Sequence, residues 1–373
     1  MPCPVDPSEV AIVFVHRHRN RDWHDIEHLD EAAIARQPQR FVGGRNSWVA
    51  QTYLRTREQF RARGWAVRIA DRFEPGAITV VHRDDMNEFR AEAHGSFLVV
   101  VRADRAPVAA CDLAIVQNHV APAAHERFLP LWPQPGLQAR DARRGARILR
   151  IAYQGRNFTA PTWFRDEAMH RALARRGATF EVRTSGWDDY RDIDLVVAAR
   201  EDASTILALK PATKIYNAWL AHVPVLATPE PAYNEVRRTA LDFIEIRNGE
   251  DVVDAVDLLR ANPRLYEAMV ANGIARGCEY DVESTRQRWI ALFDDEVVPR
   301  YREVRSALAS RRCWFLGAMA RQKAGARWYR LRLATQRWAR QSRWTPTRIV
   351  EHFSRTIARG YVPDTLVVPR ARR

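Results

Sequence analysis

Lysine is scarce in this chain of 373 residues: of 59 basic residues only three are Lys, at positions 210, 214 and 323. Arg serves everywhere else, so Lys210 and Lys214 mark positions that call for a compact ammonium rather than a planar fork. Such a point charge suits phosphate oxygens. Both lie in Lys210-Pro-Ala-Thr-Lys-Ile-Tyr-Asn217, where Thr213 is placed to cap a helix. The first-turn amides of that helix, with Lys214, would then face a diphosphate, and the macrodipole favours the negative charge. Gly43 and Gly44 precede a second helical pattern, and glycines there let backbone N–H groups approach an anionic group. For proton transfer the candidates are His16 and His18 after the first apolar run and His119 after a later one, since imidazole titrates where a hydroxyl proton can be taken. His82-Arg-Asp-Asp85 ends another run and is a rival supplier.

These residues need elements to hold them. Short apolar runs alternate with helical patterns, the mark of a parallel sheet covered by helices. Residues 11–15, 66–70, 78–82, 97–101 and 113–116 read as strands, with a helix over 47–63 capped by Ser47 and Gly64. The polar segment 16–42 exceeds an ordinary loop and reads as an insertion at the functional edge. Pro133, Pro135 and Gly136 interrupt regular structure. The pattern then restarts: 149–153, 179–184, 195–199, 223–227 and 243–246 read as strands, with helices near 165–176, 213–221, 250–261, 263–277 and 282–298. The expected fold class is α/β, two Rossmann-like domains facing a cleft with a basic C-terminal helical tail. Its units are 1–146, 147–299 and 300–373.

The stretch Asn217-Ala-Trp-Leu-Ala-His-Val-Pro-Val-Leu-Ala227 resembles the "lEAmA.G.PVva" segment of retaining GT-B glycosyltransferases. Gly43-Gly44, with the helix ending Arg63-Gly-Trp-Ala-Val67, is similar to their first loop and its "rGheV"-like turn. The resemblance spans residues 43 to 295 in outline. It implies transfer of a sugar from a nucleoside-diphosphate sugar, bound by the second unit, to an acceptor glycan or lipid-linked saccharide on the first, without cofactor or metal. By the same resemblance, Arg156 of Gly155-Arg156 serves the donor phosphates, and Glu235 stands at the family's "E.v". An inverting member would place its base at His16 or His18. The family's two Glu residues are missing, for their places hold Leu209 and Asn217. Asn217 can still hydrogen-bond a hydroxyl. Two other readings stay open: a GT-B-like binding protein without catalysis, and a sugar-nucleotide epimerase.

Composition sets the bounds. The chain suffices for two cores, its four Cys are scattered without zinc or disulfide spacing, and no uncharged run could span a bilayer. Asp192-Ile-Asp194 has the spacing of a metal-binding DxD but reads as a turn entering a strand. These features lead to an expected cytoplasmic location, peripheral at the inner membrane face. From Arg300 onward 19 basic residues meet three acids, whereas the whole chain is +14, so the body is near −2. Arg interleaved with Trp in that tail suits an anionic membrane surface. Nucleic acid is the weaker alternative, and a basic helix packed on the body is the third.

Overall fold

The computed structural model describes residues 10–86, 91–119, 123–202 and 204–341. The first sheet runs β2-β1-β3-β4-β5-β6, parallel throughout. Its strands are β1 (Ala11–Val15), β2 (Ala66–Ala70), β3 (Ile78–His82), β4 (Phe97–Val101), β5 (Leu113–Val116) and β6 (Glu126–Phe128). Five occupy the residues that patterning assigns. In β1, β3, β4 and β5 every residue is buried, as in a parallel sheet covered on both faces. The sixth strand has no apolar pattern to announce it: Glu126 is buried only because Arg102 pairs with it.

The second sheet runs β11-β10-β9-β7-β8, also parallel, from β7 (Arg150–Gln154), β8 (Thr179–Arg183), β9 (Leu195–Ala198), β10 (Val225–Ala227) and β11 (Ile244–Glu245). The helices are α1 (Arg19–Asp22), α2 (Ala33–Arg36), α3 (Gln51–Arg61), α4 (Glu167–Arg175), α5 (Ser204–Leu207), α6 (Thr213–Leu220), α7 (Pro231–Val236), α8 (Gly249–Ala261), α9 (Pro263–Gly277), α10 (Val282–Leu292), α11 (Val298–Val304) and α12 (Arg312–Gln341).

Packing redraws the expected limits of the units. Trp289, Ile290, Phe293, Val297, Val298 and Tyr301 leave the second unit and join the first core, with Phe14, Tyr53 and Phe60; Phe60 and Phe293 have ring centroids 4.7 Å apart. Helical periodicity shows that such a segment has an apolar face, not which sheet it covers. The tail also enters the fold. Phe315, Ala318 and Met319 of α12 cover the other face of the first sheet beside Ala11, Val13 and Val81, and Gln322 Oε1 accepts the Ala109 and Ala110 amides at 3.1 and 3.3 Å.

Segment 16–42 is a packed cover built of short helices, because Trp23, Ile26, Ile34 and Phe41 are buried in the first core. Gly64 takes φ +78 after α3, the helix-ending conformation expected of it. Ser47 is no cap: a wide turn over Asn46–Ala50 precedes α3, and the Ser47 hydroxyl donates to the Phe41 carbonyl at 3.1 Å. Asp194 is buried, pairs with Arg140 and Arg144, and accepts the Leu149 and Arg150 amides. Those contacts use its oxygens to start β7.

Candidate functional site

All strands of a parallel sheet end on one edge, and doubly wound sheets open a crevice there where the strand order reverses. In the second sheet the reversal lies between β7 and β9. Gly155 and Arg156 follow β7, Arg200 follows β9, Glu230 follows β10, and α6 brings Lys214 to the same place. The Lys214 ammonium donates to the Gln154 carbonyl and sits 4.3 Å from the Tyr153 ring centroid. A Cβ on Gly155 would fall 2.7 Å from Tyr153 Cζ and 2.8 Å from Lys214 Nζ, so glycine makes that seat possible. Beside it the Arg200 guanidinium pairs with the buried Glu230, donates to the Pro211 carbonyl at 3.1 Å and lies 5.2 Å from the Tyr233 ring centroid.

The electrostatics of this nest are unbalanced. Burial, reinforced by the charges of Arg200 and Lys210, lowers the Lys214 pKa to about 7. Burial also raises Glu230 above the usual carboxylate range although Arg200 opposes it. Two cations thus share one carboxylate. Thr213 Oγ1 and Gln154 Oε1, buried nearby, have no hydrogen-bond partner among the described residues. An anion with several acceptor oxygens would answer the excess positive charge and accept from the Thr213 hydroxyl, relieving the cost of a buried charge, whereas Gln154 Oε1, itself an acceptor, calls for a donor such as a ligand hydroxyl. Thr213 does not cap α6, for Ala212 stands at the N-cap without a side-chain bond; Thr213 is already the first helical residue. Arg156 is exposed at the turn. Alongside it a depression of about 280 Å³ is lined by Asn157, Pro161, Thr162, Phe164, Arg165 and Glu201.

In the first sheet the reversal lies between β1 and β3, where His16 and His82 end their strands. His16 Nδ1 accepts the His18 amide at 3.3 Å, which leaves the ring proton on Nε2, 2.9 Å from Asn46 Oδ1. Burial lowers its pKa, so this neutral ring has both nitrogens engaged. Gly43 and Gly44 take φ +82 and +39, a left-handed path that glycine follows without strain, and the chain then delivers Asn46 to His16 and Arg45 to the buried Asp85 at 2.9 Å. His18 is half-buried, its ring 6.4 Å from that of His16. His82 is buried, accepts the Asp84 amide at 3.2 Å, and has its pKa pushed down by burial to about 4.

The two carboxyl edges meet. Asn118 Nδ2 donates to the Ala208 and Lys210 carbonyls at 3.0 and 2.8 Å, and Gln117 donates to Leu209 at 3.2 Å. Lys210 Nζ pairs with Asp104 of the first unit at 2.7 Å; burial alone would raise the Asp104 pKa, but Lys210 holds it low. Glu235 accepts the His119 amide on both oxygens at 2.9 and 3.0 Å, and the exposed imidazole lies 3.9 Å away. Asn217 turns to the connecting segment, its Oδ1 accepting the Gln134 amide at 3.1 Å. The sequence-derived residues therefore fall into three groups. Lys214, Thr213 and Arg156 surround the nest; Lys210, Asn217, Glu235 and His119 join the two units; His16, His18, Gly43 and Gly44 line the first crevice. Tyr153, Arg200, Glu230 and Asp104 escaped the sequence reading. Arg200 and Glu230 follow apolar strands by two and three residues, which was the available signal. Among the described residues, no group of three or more His, Cys, Asp or Glu could hold a metal ion.

Fold and site together define an α/β protein of two doubly wound units whose strand ends face one another across a cleft. Among solved structures, the chain is similar to sucrose-phosphate synthase from Thermosynechococcus elongatus (12% identity, 77% of this chain and 98% of that one, TM-score 0.49). It is also similar to AviGT4, a glycosyltransferase involved in avilamycin A biosynthesis (12%, 78% and 98%, TM-score 0.48), and to Anabaena Alr3699/HepE in complex with UDP (9%, 77% and 99%, TM-score 0.43). No family model and no curated protein matches the sequence. Likenesses this distant leave the fold to rest on the strand orders and the site on its own residues.

Proposed function

We propose that the protein is a metal-independent glycosyltransferase that moves a hexosyl group from a nucleoside-diphosphate sugar on the second unit to an acceptor glycan or lipid-linked saccharide on the first. The observation that carries this reading is the nest at the β7–β9 switch point, where the buried Lys214 ammonium sits beside the Arg200–Glu230 ion pair. A diphosphate is the anion that fits: Lys214 and Arg156 supply cations, Thr213 a hydroxyl, and Lys210 a further cation once it exchanges Asp104 for a phosphate oxygen. The depression beside Arg156 takes the nucleoside. Glu235 and Asn217 keep the acceptor unit against this site.

In the transfer, an acceptor oxygen bonds to the anomeric carbon as the bond from that carbon to the diphosphate oxygen breaks. The electron pair leaves with the nucleoside diphosphate, whose growing charge the preset cations neutralise. In an inverting course the hydroxyl proton goes to His119, oriented by Glu235, whereas in a retaining course it goes to the departing phosphate. Gly43 and Gly44 shape the acceptor crevice, where His16 and His18 act on position through Asn46. A peripheral place at an anionic membrane face completes the reading.

Titration with a panel of UDP-, GDP- and other nucleotide sugars, for wild type, Lys214→Ala and Arg156→Ala, tests it. At least one donor should bind wild type and bind each variant about tenfold or more weakly, the loss expected for a charge-assisted contact. Failure of every donor to bind wild type refutes the proposal.

A further inference from the structure

Helix α12 has two faces with different duties. Phe315, Ala318, Met319 and Gln322, at helical spacing, are buried on the first sheet and fix the helix's rotation. Between residues 323 and 336 no side chain is buried. On one exposed flank, roughly a quarter to a third of a turn from that buried face, Trp314, Arg321 and Trp328 follow one another at seven-residue intervals, two helical turns, so they lie on one line; Arg332 continues it one turn later. Trp314 is 42% and Trp328 68% exposed, and the Arg311 guanidinium covers the Trp314 ring at 4.3 Å. Among the described residues no ion pair engages Arg321, Arg327 or Arg332. The helix contains eight basic residues and no acid, while residues 1–299 hold 40 basic against 42 acidic. A charge so one-sided cannot be answered by the helix itself.

We propose that this outward stripe of α12 docks on an anionic phospholipid bilayer. A straight line of rings and cations about 27 Å long from Trp314 to Arg332 meets a plane along its whole length. Trp settles at headgroup level, and each cation near an anionic surface strengthens attachment about fivefold. A major groove would admit the cations of such a helix but not two outward indoles along one line. Because α12 also touches α5, the short helix leading into the Lys210 loop, docking brings the cleft beside the membrane surface. The inference stands on the helix alone, whatever the cleft binds.

The test is co-sedimentation of the full chain with vesicles of phosphatidylcholine, with or without about one third phosphatidylglycerol, and a parallel titration with single-stranded oligonucleotides. Wild type should sediment with the anionic vesicles alone. Arg321→Gln/Arg332→Gln should weaken this about 30-fold, two such cations being removed. Trp328→Ala, which keeps every charge, should weaken it too, and thermal unfolding of these exposed variants should match wild type. Equal sedimentation with both vesicle types, or undiminished binding by Trp328→Ala, overturns the proposal. So does oligonucleotide binding that exceeds vesicle binding and is lost in the double Arg variant. Nucleotide-sugar binding unchanged in all variants separates this result from that on the cleft.

Discussion

Raising the pH should weaken donor binding through Lys214. In the free protein, burial and the neighbouring charges set its pKa at about 7. A bound diphosphate supplies the counter-charge that the nest lacks and returns that pKa toward the ordinary lysine value of about 10.4. Binding therefore requires a proton on an amine that is half-protonated at pH 7 and protonated in roughly one molecule per hundred at pH 9. Affinity is fully present below pH 7 and declines as pH rises, by about 50-fold between pH 7 and 9, or about 2.3 kcal/mol at 1.36 kcal/mol per tenfold change. At pH 8 each binding event should take up about 0.9 proton. Nucleotide sugars suit this measurement because their diphosphate has no proton to lose in this range. Isothermal titration calorimetry in buffers of different ionisation enthalpy reads both quantities. Lys214→Met should bind weakly and lose the pH dependence and the proton uptake together. Wild-type affinity that is flat from pH 7 to 9, with no proton taken up, would refute the placement of the diphosphate at Lys214.

Other consequences follow from neighbouring contacts. Gly155→Ala would push a methyl into the Tyr153 ring and the Lys214 ammonium; donor Kd should rise at least tenfold, with the unfolding temperature reduced by only a few degrees, as calorimetry would show. If Lys210 exchanges Asp104 for phosphate, Asp104→Ala and Lys210→Ala should shift donor Kd in opposite directions, tighter and weaker, whereas equal weakening would mark the pair as a purely structural clasp between units. His82 has a folded pKa of about 4 against about 6.5 unfolded. Its contribution is present above pH 6.5 and is lost as pH falls toward 4, about 2 kcal/mol by pH 5. Urea unfolding of His82→Asn should be less acid-sensitive than wild type by that amount, and identical pH slopes would exclude a buried neutral His82.

Strands β1, β3, β4 and β5 were legible in the sequence because a strand buried on both faces needs a mostly apolar run, and the edge strand β2 because Val67 and Ile69 alternate around Arg68 on its buried face. The same local rule failed at β6, where a buried ion pair replaces the apolar signal. It also failed at Ser47 and Thr213, where a hydroxyl of the right type near a helix start finds no free amide to accept. Lys214 stood out for a different reason: in a chain that uses Arg almost everywhere a retained Lys draws attention to its position, and its ammonium lies at the end of β7 against Gln154 and Tyr153.

Only the tertiary structure decided what surrounds that lysine. Tyr153, Gly155, Arg200, Glu230 and Lys214 come from three strand ends and a helix. Strand order, a matter of long-range pairing, alone brings them to one switch point. Long-range pairing likewise made Lys210 and Glu235 contacts of Asp104 and His119, sent Asn217 to the connecting segment, and carried residues 289–301 back to the first core. A periodic pattern states that a side chain needs a partner; which partner it finds depends on how the two sheets are laid against each other.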